Sequence, residues 1–561
     1  MLARIFVLAF IVVCAGCGER TSVGDEPAPA EGDSVRQPSV VATVDMDRFR
    51  QDVEQLSSDA FDGRSPSSEG EQKTTDYLIS AFKASGLVGG NQGNFLQEVP
   101  LVEITAETVS PMTFETSESE APLSLKDDVR VMWTKRVVEK SSITDSAVVF
   151  VGYGIVAPEY DWNDYAGIDV AGKTVVMLVN DPGFATGDPE LFNGRSMTYY
   201  GRWTYKYEEA ARQGAAGVIL VHELEAAGYP WIVVSGGWNG PQFDLESSDG
   251  NASRAAIESW ITMPAAVALF EYAGHDYAML RAAAAEPGFK PVEFPVTVSA
   301  SVENRLKRSK SNNVVALLPG EVSDETVAFS AHWDHLGSVD AGGADGIYNG
   351  AVDNASGTAA LLEMARVLSQ EPRRRSYLFL AVTAEESGLL GSAWYARNPT
   401  VALEKMAALI NIDAMGIIGP TRDVAVIGYG SSTLEDILAD IAANQDRVLA
   451  PESTPEKGFF YRSDHFNFAK YGVPVLYAKA GVDHREKGRE YGLAAAAKHT
   501  AERYHQPSDE IHDGWDWRGM QEDLELYLGV ARVVARSDAW PQWREGNEFK
   551  GVRDASTEQR R

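Results

Sequence analysis

Cysteine is almost absent from this chain of 561 residues. Its only two cysteines, Cys14 and Cys17, lie at the N-terminus, so the rest of the sequence has no disulfide and no cysteine ligand for a metal. Basic residues are also scarce, since 50 lysines and arginines stand against 81 aspartates and glutamates, and the formal net charge is -31. Because nucleic-acid binding needs clustered Lys and Arg, we expect no nucleic-acid partner.

Long apolar runs are missing as well. The run at residues 5–13 follows Arg4 and is too short to span a bilayer as a helix. The next residues, CAGC, resemble a bacterial lipoprotein cleavage site with Cys17 as the lipidated residue, although Cys14 departs from the usual Leu. An ordinary secretory signal is the alternative. We expect residues 1–17 to be a lipoprotein-type signal peptide.

Such a signal implies export to the bacterial cell envelope, on the periplasmic or outer-membrane side. Membrane contact would then occur only through the lipid on Cys17.

Changes in composition divide the remaining chain. Residues 18–44 are rich in Glu, Asp, Pro, Ser and Gly and predict a flexible linker. Residues 45–139 and 300–540 are interpreted as two parts of one domain. A β-rich domain at 140–290 interrupts them, and 541–561 are predicted to be a polar tail.

The second part of the divided domain alternates strands with helices. TVAFSAH, SYLFLAVT, MAALINID and VPVLYAKA predict buried strands, and SGTAALLEMARVL predicts an amphipathic helix. This alternation predicts an α/β fold with a mixed, largely parallel sheet and helices on both faces.

Metal-binding side chains follow three of these strands or lie in nearby loops. In open α/β sheets, sites form outside the carboxyl ends of the strands, so we expect these side chains to converge. They are His332, Asp353, Glu385, Glu386, Asp413 and His505.

This set has enough ligands for two divalent metals such as zinc. Asp353 is the natural bridge. His332 and Asp413 would complete one metal site, and Glu386 and His505 the other.

Two further carboxylates have no place among these ligands. Glu385 is then free to act as a general base and later as a general acid. Asp334, two residues after His332, is expected to orient that imidazole.

At these residues the chain resembles metallopeptidase family 28, the co-catalytic zinc aminopeptidase and carboxypeptidase group. The resemblance covers about 46–135 and 300–535 and includes YRSDHFNFAKYGVP before a late strand. It implies a zinc-peptidase fold of the phosphorylase/hydrolase-like type and two Zn²⁺ per chain. The family's ligand roles fall on the five residues assigned above, and its base role falls on Glu385.

The β-rich insertion resembles a protease-associated domain in GYGIVAPEYDWNDYAGIDVAGKTVVMLV and YYGRWTYKYEEAARQGAAGVILVH. The resemblance implies a part in substrate access, and an inert spacer is the alternative. Tyr504 and Tyr461 fit loosely as the hydroxyl that polarises the substrate carbonyl. Arg462 is a candidate contact for a substrate carboxylate.

The resemblance therefore implies a zinc-dependent exopeptidase that acts on peptides, with an aminopeptidase as the first reading. A carboxypeptidase of the same family and a single-zinc transferase like the glutaminyl cyclases are alternatives. A non-catalytic binding protein with a protease-associated domain is the alternative of another class.

Overall fold

Helices and strands alternate along most of the chain in the computed structural model, which describes residues 42–237 and 240–560. The predicted signal peptide, Cys17 and all but the end of the predicted linker lie outside these residues. Within them, no helix has the length and apolar character needed to cross a membrane.

The helices are Met46–Leu56, Glu69–Ala84, Pro182–Thr186, Trp203–Arg212, Leu224–Ala227, Trp231–Gly237, Met263–Tyr272, Tyr277–Ala284, Gly357–Ser369, Leu390–Arg397, Leu434–Ala443, His465–Ala469, Gly488–Glu502, Trp517–Arg536, Lys550–Ala555 and Thr557–Arg560. Short helical turns occur at Asp59–Arg64, Pro158–Tyr160, Ala351–Ser356, Leu403–Lys405, Pro455–Lys457 and Phe459–Arg462.

The strands are Val88–Gly89, Leu96–Val109, Met112–Thr116, Ser119–Leu125, Arg130–Trp133, Lys140–Phe150, Val156–Ala157, Trp162–Asn163, Thr174–Leu178, Gly217–His222, Pro241–Leu245, Ile257–Thr262, Val292–Leu318, Val322–His332, Arg375–Val382, Met406–Asn411, Asp423–Val426, Val448–Pro451 and Val475–Ala480.

Parallel strands form the centre of the sheet in the second half of the chain. Their spatial order is Arg375–Val382, Val322–His332, Met406–Asn411 and Val475–Ala480. Val292–Leu318 pairs antiparallel with the first of them. The central strands are buried along nearly their whole length, which explains their continuous apolar sequences.

Helices cover both faces of this sheet. One face packs against Met46–Leu56, Glu69–Ala84, Gly357–Ser369 and Trp517–Arg536, and the other packs against Leu390–Arg397 and His465–Ala469. In the first helix, Asp45 caps the N-terminus, and Phe49 and Val53 are fully buried at helical spacing. Each such side chain stabilises the fold by about 1.5–3 kcal/mol. The predicted α/β class with a mixed, largely parallel sheet is confirmed.

The predicted insertion contributes its own run of parallel strands, which is joined to the sheet of the second half through Val292–Leu318. Lys140–Phe150, Thr174–Leu178, Gly217–His222 and Ile257–Thr262 are parallel neighbours with separate apolar clusters on their two faces. The earlier strand Met112–Thr116 packs into one of these clusters, so the β-rich part begins before the predicted residue 140.

The boundary predicted between residues 290 and 300 falls inside one continuous strand, Val292–Leu318. This strand pairs with Lys140–Phe150 in the insertion and then with Leu96–Val109. The middle of this strand is polar because its side chains face solvent, and Arg305 and Lys307 are exposed there.

The predicted polar tail, 541–561, is anchored in the fold. Trp543 and Phe549 are buried against the apolar cluster on the second face of the sheet. The Trp543 indole N–H also donates to the Gly472 carbonyl oxygen at 3.1 Å. This polar segment contains few aromatic residues, but their burial holds it against the sheet.

Candidate metal centre

The carboxyl ends of three parallel strands meet at one edge of the sheet. His332 is the last residue of its strand, while Glu386 and Asp413 follow the strands on either side. Asp353 lies in the turn Ala351–Ser356, directly before a helix, and His505 follows the helix Gly488–Glu502. The five predicted ligands therefore converge. Strand order places His332, Glu386 and Asp413 at this edge.

The two carboxylate oxygens of Asp353 face different partners. Its Oδ1 atom lies 3.2 Å from His332 Nε2, and Asp413 Oδ1 lies 3.4 Å from the same nitrogen. Its Oδ2 atom lies 3.3 Å from His505 Nε2, which is 3.2 Å from Glu386 Oε2. Asp353 therefore belongs to two groups of candidate ligands. One group includes His332 and Asp413, and the other includes His505 and Glu386.

These spacings fit tetrahedral coordination of a divalent ion. Zinc binds His nitrogen and carboxylate oxygen at about 2.0–2.2 Å, so the edges of its tetrahedron measure roughly 3.3–3.6 Å. The donor pairs around Asp353 lie 3.2–3.4 Å apart. His, Asp and Glu are also the donors expected where no cysteine is available, so the residues fit the metal that the sequence predicted.

The two ligand histidines lie in a strongly negative environment. Burial alone would lower the pKa of His332, but Glu385, Asp353 and Asp413 together raise it well above its usual value. For His505, burial is again outweighed, and contacts with Asp353 and Glu386 raise the pKa to about 10. Both imidazoles therefore lie where a cation is favoured.

Excess negative charge extends to the neighbouring carboxyl groups. Burial raises the pKa of Glu385 well above its usual value, with Glu386 and Asp413 adding to the effect against the opposing charge of His332. Burial also raises the pKa of Asp334 to about 7. Divalent cations would relieve this repulsion and leave the carboxylates ionised.

The Asp334 side chain contacts the backbone of Glu385, the predicted base. Its Oδ1 atom accepts a hydrogen bond from the Glu385 amide at 3.1 Å. His332 Nδ1 lies 3.1 Å from the Asp334 carbonyl oxygen and 3.8 Å from its carboxylate. Donation from Nδ1 to that carbonyl would leave Nε2 free to face Asp353, so Asp334 is placed to orient His332.

His335 was not assigned a role from the sequence. It is buried, and its Nδ1 atom lies 2.7 Å from Glu386 Oε1, so it contacts the oxygen of Glu386 that does not face His505. With Asp353 and Glu386 it forms a further group of metal-binding side chains. The sequence feature that could have indicated this contact is the position of His335, three residues after His332 in the loop that follows the strand.

Two residues distant in sequence fix the loops that carry the ligands. The fully buried Arg64 donates to the carbonyl oxygens of Trp333, Asn349 and Gly350, beside His332 and Asp353. The Asp509 carboxylate accepts from the Asp353 amide at 3.1 Å. Neither role was predicted, although Asp509 lies in the YHQPSDE segment that supplies His505.

The two candidate tyrosines have different surroundings. Tyr504 is 48% exposed, and its ring stacks on His505 with 3.9 Å between ring centroids. Tyr461 is buried, and its hydroxyl donates to Glu548 at 2.8 Å. The structure therefore brings Tyr504 to the candidate metal centre, while the Tyr461 hydroxyl is bonded elsewhere.

Residues 313–530 match the family described as peptidase family M28, and this range contains all five ligand candidates and Glu385. Residues 313–530 are a peptidase M28 domain. The predicted resemblance is thereby confirmed for this part of the chain. The insertion's resemblance to a protease-associated domain stays a prediction.

Curated relatives of the M28 domain include aminopeptidase NAALADL1 of Mus musculus, 38% identical over 138 residues, which are 23% of this chain and 17% of that protein. A probable zinc metalloprotease of Pyrenophora tritici-repentis is 26% identical over 245 residues, which are 40% of this chain and 55% of that protein. The matched part of the chain thus spans less than two thirds of either relative.

Similar solved structures include an aminopeptidase from Aneurinibacillus sp. strain AM-1, with a TM-score of 0.47 and 20% identity over 89% of this chain and 95% of that one. The zinc aminopeptidase BSAP from Bacillus subtilis has a TM-score of 0.41 and 18% identity over 89% of this chain and 97% of that one.

Replacement of Arg64 tests how the M28 domain holds its ligand loops. In Arg64→Met, the carbonyl oxygens of Trp333, Asn349 and Gly350 lose a buried donor, and we expect a loss of at least about 3 kcal/mol in unfolding free energy. The affinity for added zinc should also fall, because the loops bearing His332 and Asp353 are released. Denaturant unfolding and chelator competition measure the two effects.

The matched control is Arg48→Met, since Arg48 is exposed on the first helix. Equal unfolding midpoints and equal zinc affinities for the two variants would contradict the role given to Arg64.

Proposed function

We propose that the chain is a zinc-dependent exopeptidase and, more specifically, an aminopeptidase that releases N-terminal residues from peptides. The observation that carries this proposal is the double contact of Asp353, whose two oxygens face two separate groups of ligands. The names of the relatives, an aminopeptidase and a probable zinc metalloprotease, support the same chemistry.

Two Zn²⁺ per chain are part of this proposal. His332, Asp353 and Asp413 would hold one ion, and Asp353, Glu386 and His505 the other. A shared carboxylate is typical of paired-metal hydrolases, and the donor spacings around Asp353 support this division. Bound zinc supplies Lewis-acid polarisation of the scissile carbonyl and favours ionisation of the attacking water.

Glu385 is assigned the proton transfers. Its carboxylate lies in one group with the imidazole of His332 and the carboxylate of Glu386, and its backbone amide donates to Asp334. It would take a proton from the attacking water and later give that proton to the nitrogen of the leaving amine.

The names of the relatives favour the aminopeptidase over the carboxypeptidase alternative. NAALADL1 of Mus musculus is named an aminopeptidase, and a curated relative from Aspergillus oryzae is named a probable leucine aminopeptidase.

Tyr504 is proposed as the hydroxyl that assists the substrate carbonyl. Stacking on His505 places its ring against a ligand, and its half-exposed side chain is open to a substrate. Partial burial and the nearby charges of Asp353 and Glu386 raise the pKa of Tyr504, so the hydroxyl keeps its proton and can donate it in a hydrogen bond.

The insertion is proposed to be a protease-associated domain that shapes access to the M28 domain. A lipid on Cys17 is proposed to hold the enzyme in the bacterial cell envelope.

A peptide panel tests the proposed activity. We expect hydrolysis of peptides with a free amino terminus and none of their N-acetylated forms, loss of activity on chelation, and recovery when zinc is returned. Metal analysis of the reconstituted protein should give two zinc ions per chain. Release of residues from the carboxyl end would favour the carboxypeptidase alternative.

One zinc ion per chain, with conversion of N-terminal glutamine and no hydrolysis, would favour the cyclase-like transferase. Absence of any chelator-sensitive turnover would favour a silent binding protein.

Glu385→Gln separates metal binding from proton transfer. Because Gln cannot accept the proton, kcat should fall by about 10²- to 10⁴-fold, while the zinc content stays unchanged. Steady-state kinetics and metal analysis measure the two outcomes. Glu118→Gln, at an exposed position, is the matched control and should behave as the unmodified protein. Substantial turnover in Glu385→Gln would remove Glu385 from the base role.

The two tyrosines provide a matched pair of hydroxyl deletions. Tyr504→Phe should lower kcat by about 10²-fold with little change in KM, since its hydroxyl would act mainly in the transition state. Tyr461→Phe should lower the melting temperature instead, because Glu548 loses a buried donor. The reverse pattern would transfer the catalytic role to Tyr461.

A further inference from the structure

The contact between His335 and Glu386 joins a residue without an assigned role to a proposed zinc ligand. The Nδ1 atom of His335 lies 2.7 Å from Glu386 Oε1. Two donors on one zinc ion lie roughly 3.3–3.6 Å apart, whereas a charge-assisted N–H···O bond measures about 2.7–2.9 Å. The spacing therefore fits a hydrogen bond between the two side chains and does not fit shared coordination of one ion.

The direction of this hydrogen bond follows from the surroundings of the ring. As a zinc ligand, Glu386 is an ionised carboxylate that can only accept, so His335 donates from Nδ1. The Nε2 atom of His335 is buried and has no hydrogen-bond partner among the described residues. Because a proton on Nε2 would lack an acceptor there, the tautomer with its proton on Nδ1 is favoured.

The His335 ring has little freedom to turn away from Glu386. It is buried, and the backbone amide of His335 donates to the Arg64 carbonyl oxygen at 3.2 Å. Gly350 lies so close that a Cβ atom at this position would be 2.6 Å from the ring. The His505 ring packs edge-on against the same imidazole, with 5.9 Å between ring centroids. These contacts hold Nδ1 against the carboxylate.

The two oxygens of Glu386 consequently have different partners. Its Oε1 atom accepts from His335, and its Oε2 atom lies 3.2 Å from Nε2 of His505, another proposed ligand. A carboxylate with both oxygens free can bind one metal ion through both of them. Because Oε1 already accepts a hydrogen bond, Glu386 offers a metal ion a single oxygen.

We propose that His335 is a positioning residue that makes Glu386 bind zinc through Oε2 alone. The inference rests on the proposed zinc pair and deepens it. Asp353, Glu386 and His505 give the second ion three protein ligands, and catalytic zinc sites keep their fourth position open for water or substrate. A second oxygen from Glu386 would fill that position, so His335 keeps it open.

The coordination of Glu386 can be observed without any substrate. Crystal structures of the zinc-loaded protein should show one Glu386 oxygen on the ion in the unmodified chain and both oxygens in His335→Ala. X-ray absorption at the zinc edge should give a higher mean coordination number for this variant. His335→Asn places an amide donor near the position of Nδ1 and should restore the single oxygen. His335→Gln places its amide nearer the position of Nε2 and should resemble His335→Ala.

Kinetics of the same variants measure the consequence for turnover. At saturating zinc, His335→Ala and His335→Gln should lose roughly 10- to 100-fold in kcat, and His335→Asn should lose far less. A role limited to packing predicts the opposite ranking, because Gln fills the space of the ring better than Asn. His275→Ala is the control, since it removes a ring that stacks on Phe294 in the insertion, and its kcat should be unchanged.

The outcomes separate this inference from the proposed function. Two Glu386 oxygens on zinc in the unmodified protein, or one oxygen in His335→Ala, would overturn the role of His335 and leave the exopeptidase and its zinc pair intact. Absence of zinc at Glu386 in the unmodified protein would overturn both. If the zinc-loaded protein hydrolyses no peptide, the proposed activity fails, and the coordination of Glu386 alone decides the role of His335.

Melting temperatures show whether each variant is folded. If His335→Ala is unfolded, the comparison of His335→Asn with His335→Gln replaces it. The same coordination of Glu386 in these two variants would overturn the inference, and a single oxygen in His335→Asn with two in His335→Gln would support it.

Discussion

Mutual repulsion among buried carboxylates at one sheet edge is the constraint on which the rest of the structure depends. Asp353, Asp413 and Glu386 contact three imidazoles, those of His332, His505 and His335, and Glu385 and Asp334 add further negative charge close by. In water these groups would separate. The fold holds them together with donor spacings of 3.2–3.4 Å, which suit a cation better than a proton.

Holding that arrangement requires support from distant parts of the chain. Arg64, near the start of the described residues, donates to carbonyl oxygens beside His332 and Asp353, and Asp509 accepts from the Asp353 amide. These bonds satisfy backbone groups of the ligand loops, so the loops have few alternative conformations. The positive charge of Arg64 also lies near the carboxylates without neutralising them, because burial and the carbonyl contacts fix it behind the loops.

The convergence of three ligands was predictable because it follows from strand order. Once the three parallel strands are recognised, His332, Glu386 and Asp413, which end or follow them, must approach one another at the carboxyl edge. The supporting contacts were not predictable, since Arg64 and Asp509 act over long sequence separations that no local pattern encodes. The continuous strand Val292–Leu318 was missed for a related reason. Its polar middle is compatible with a strand only because Leu96–Val109 pairs with it.

Contacts between separate parts of the chain also distinguish residues that the sequence leaves equivalent. Tyr461 and Tyr504 were candidates for the same role, and only packing separates them, because Glu548 accepts from Tyr461 while His505 stacks on Tyr504. The insertion meets the M28 domain through long-range contacts of the same kind. The Tyr199 ring packs against Tyr461 and Phe466, and Glu208 pairs with Lys470 at 3.2 Å. Because these contacts join residues that are far apart in sequence, no local pattern could have predicted them.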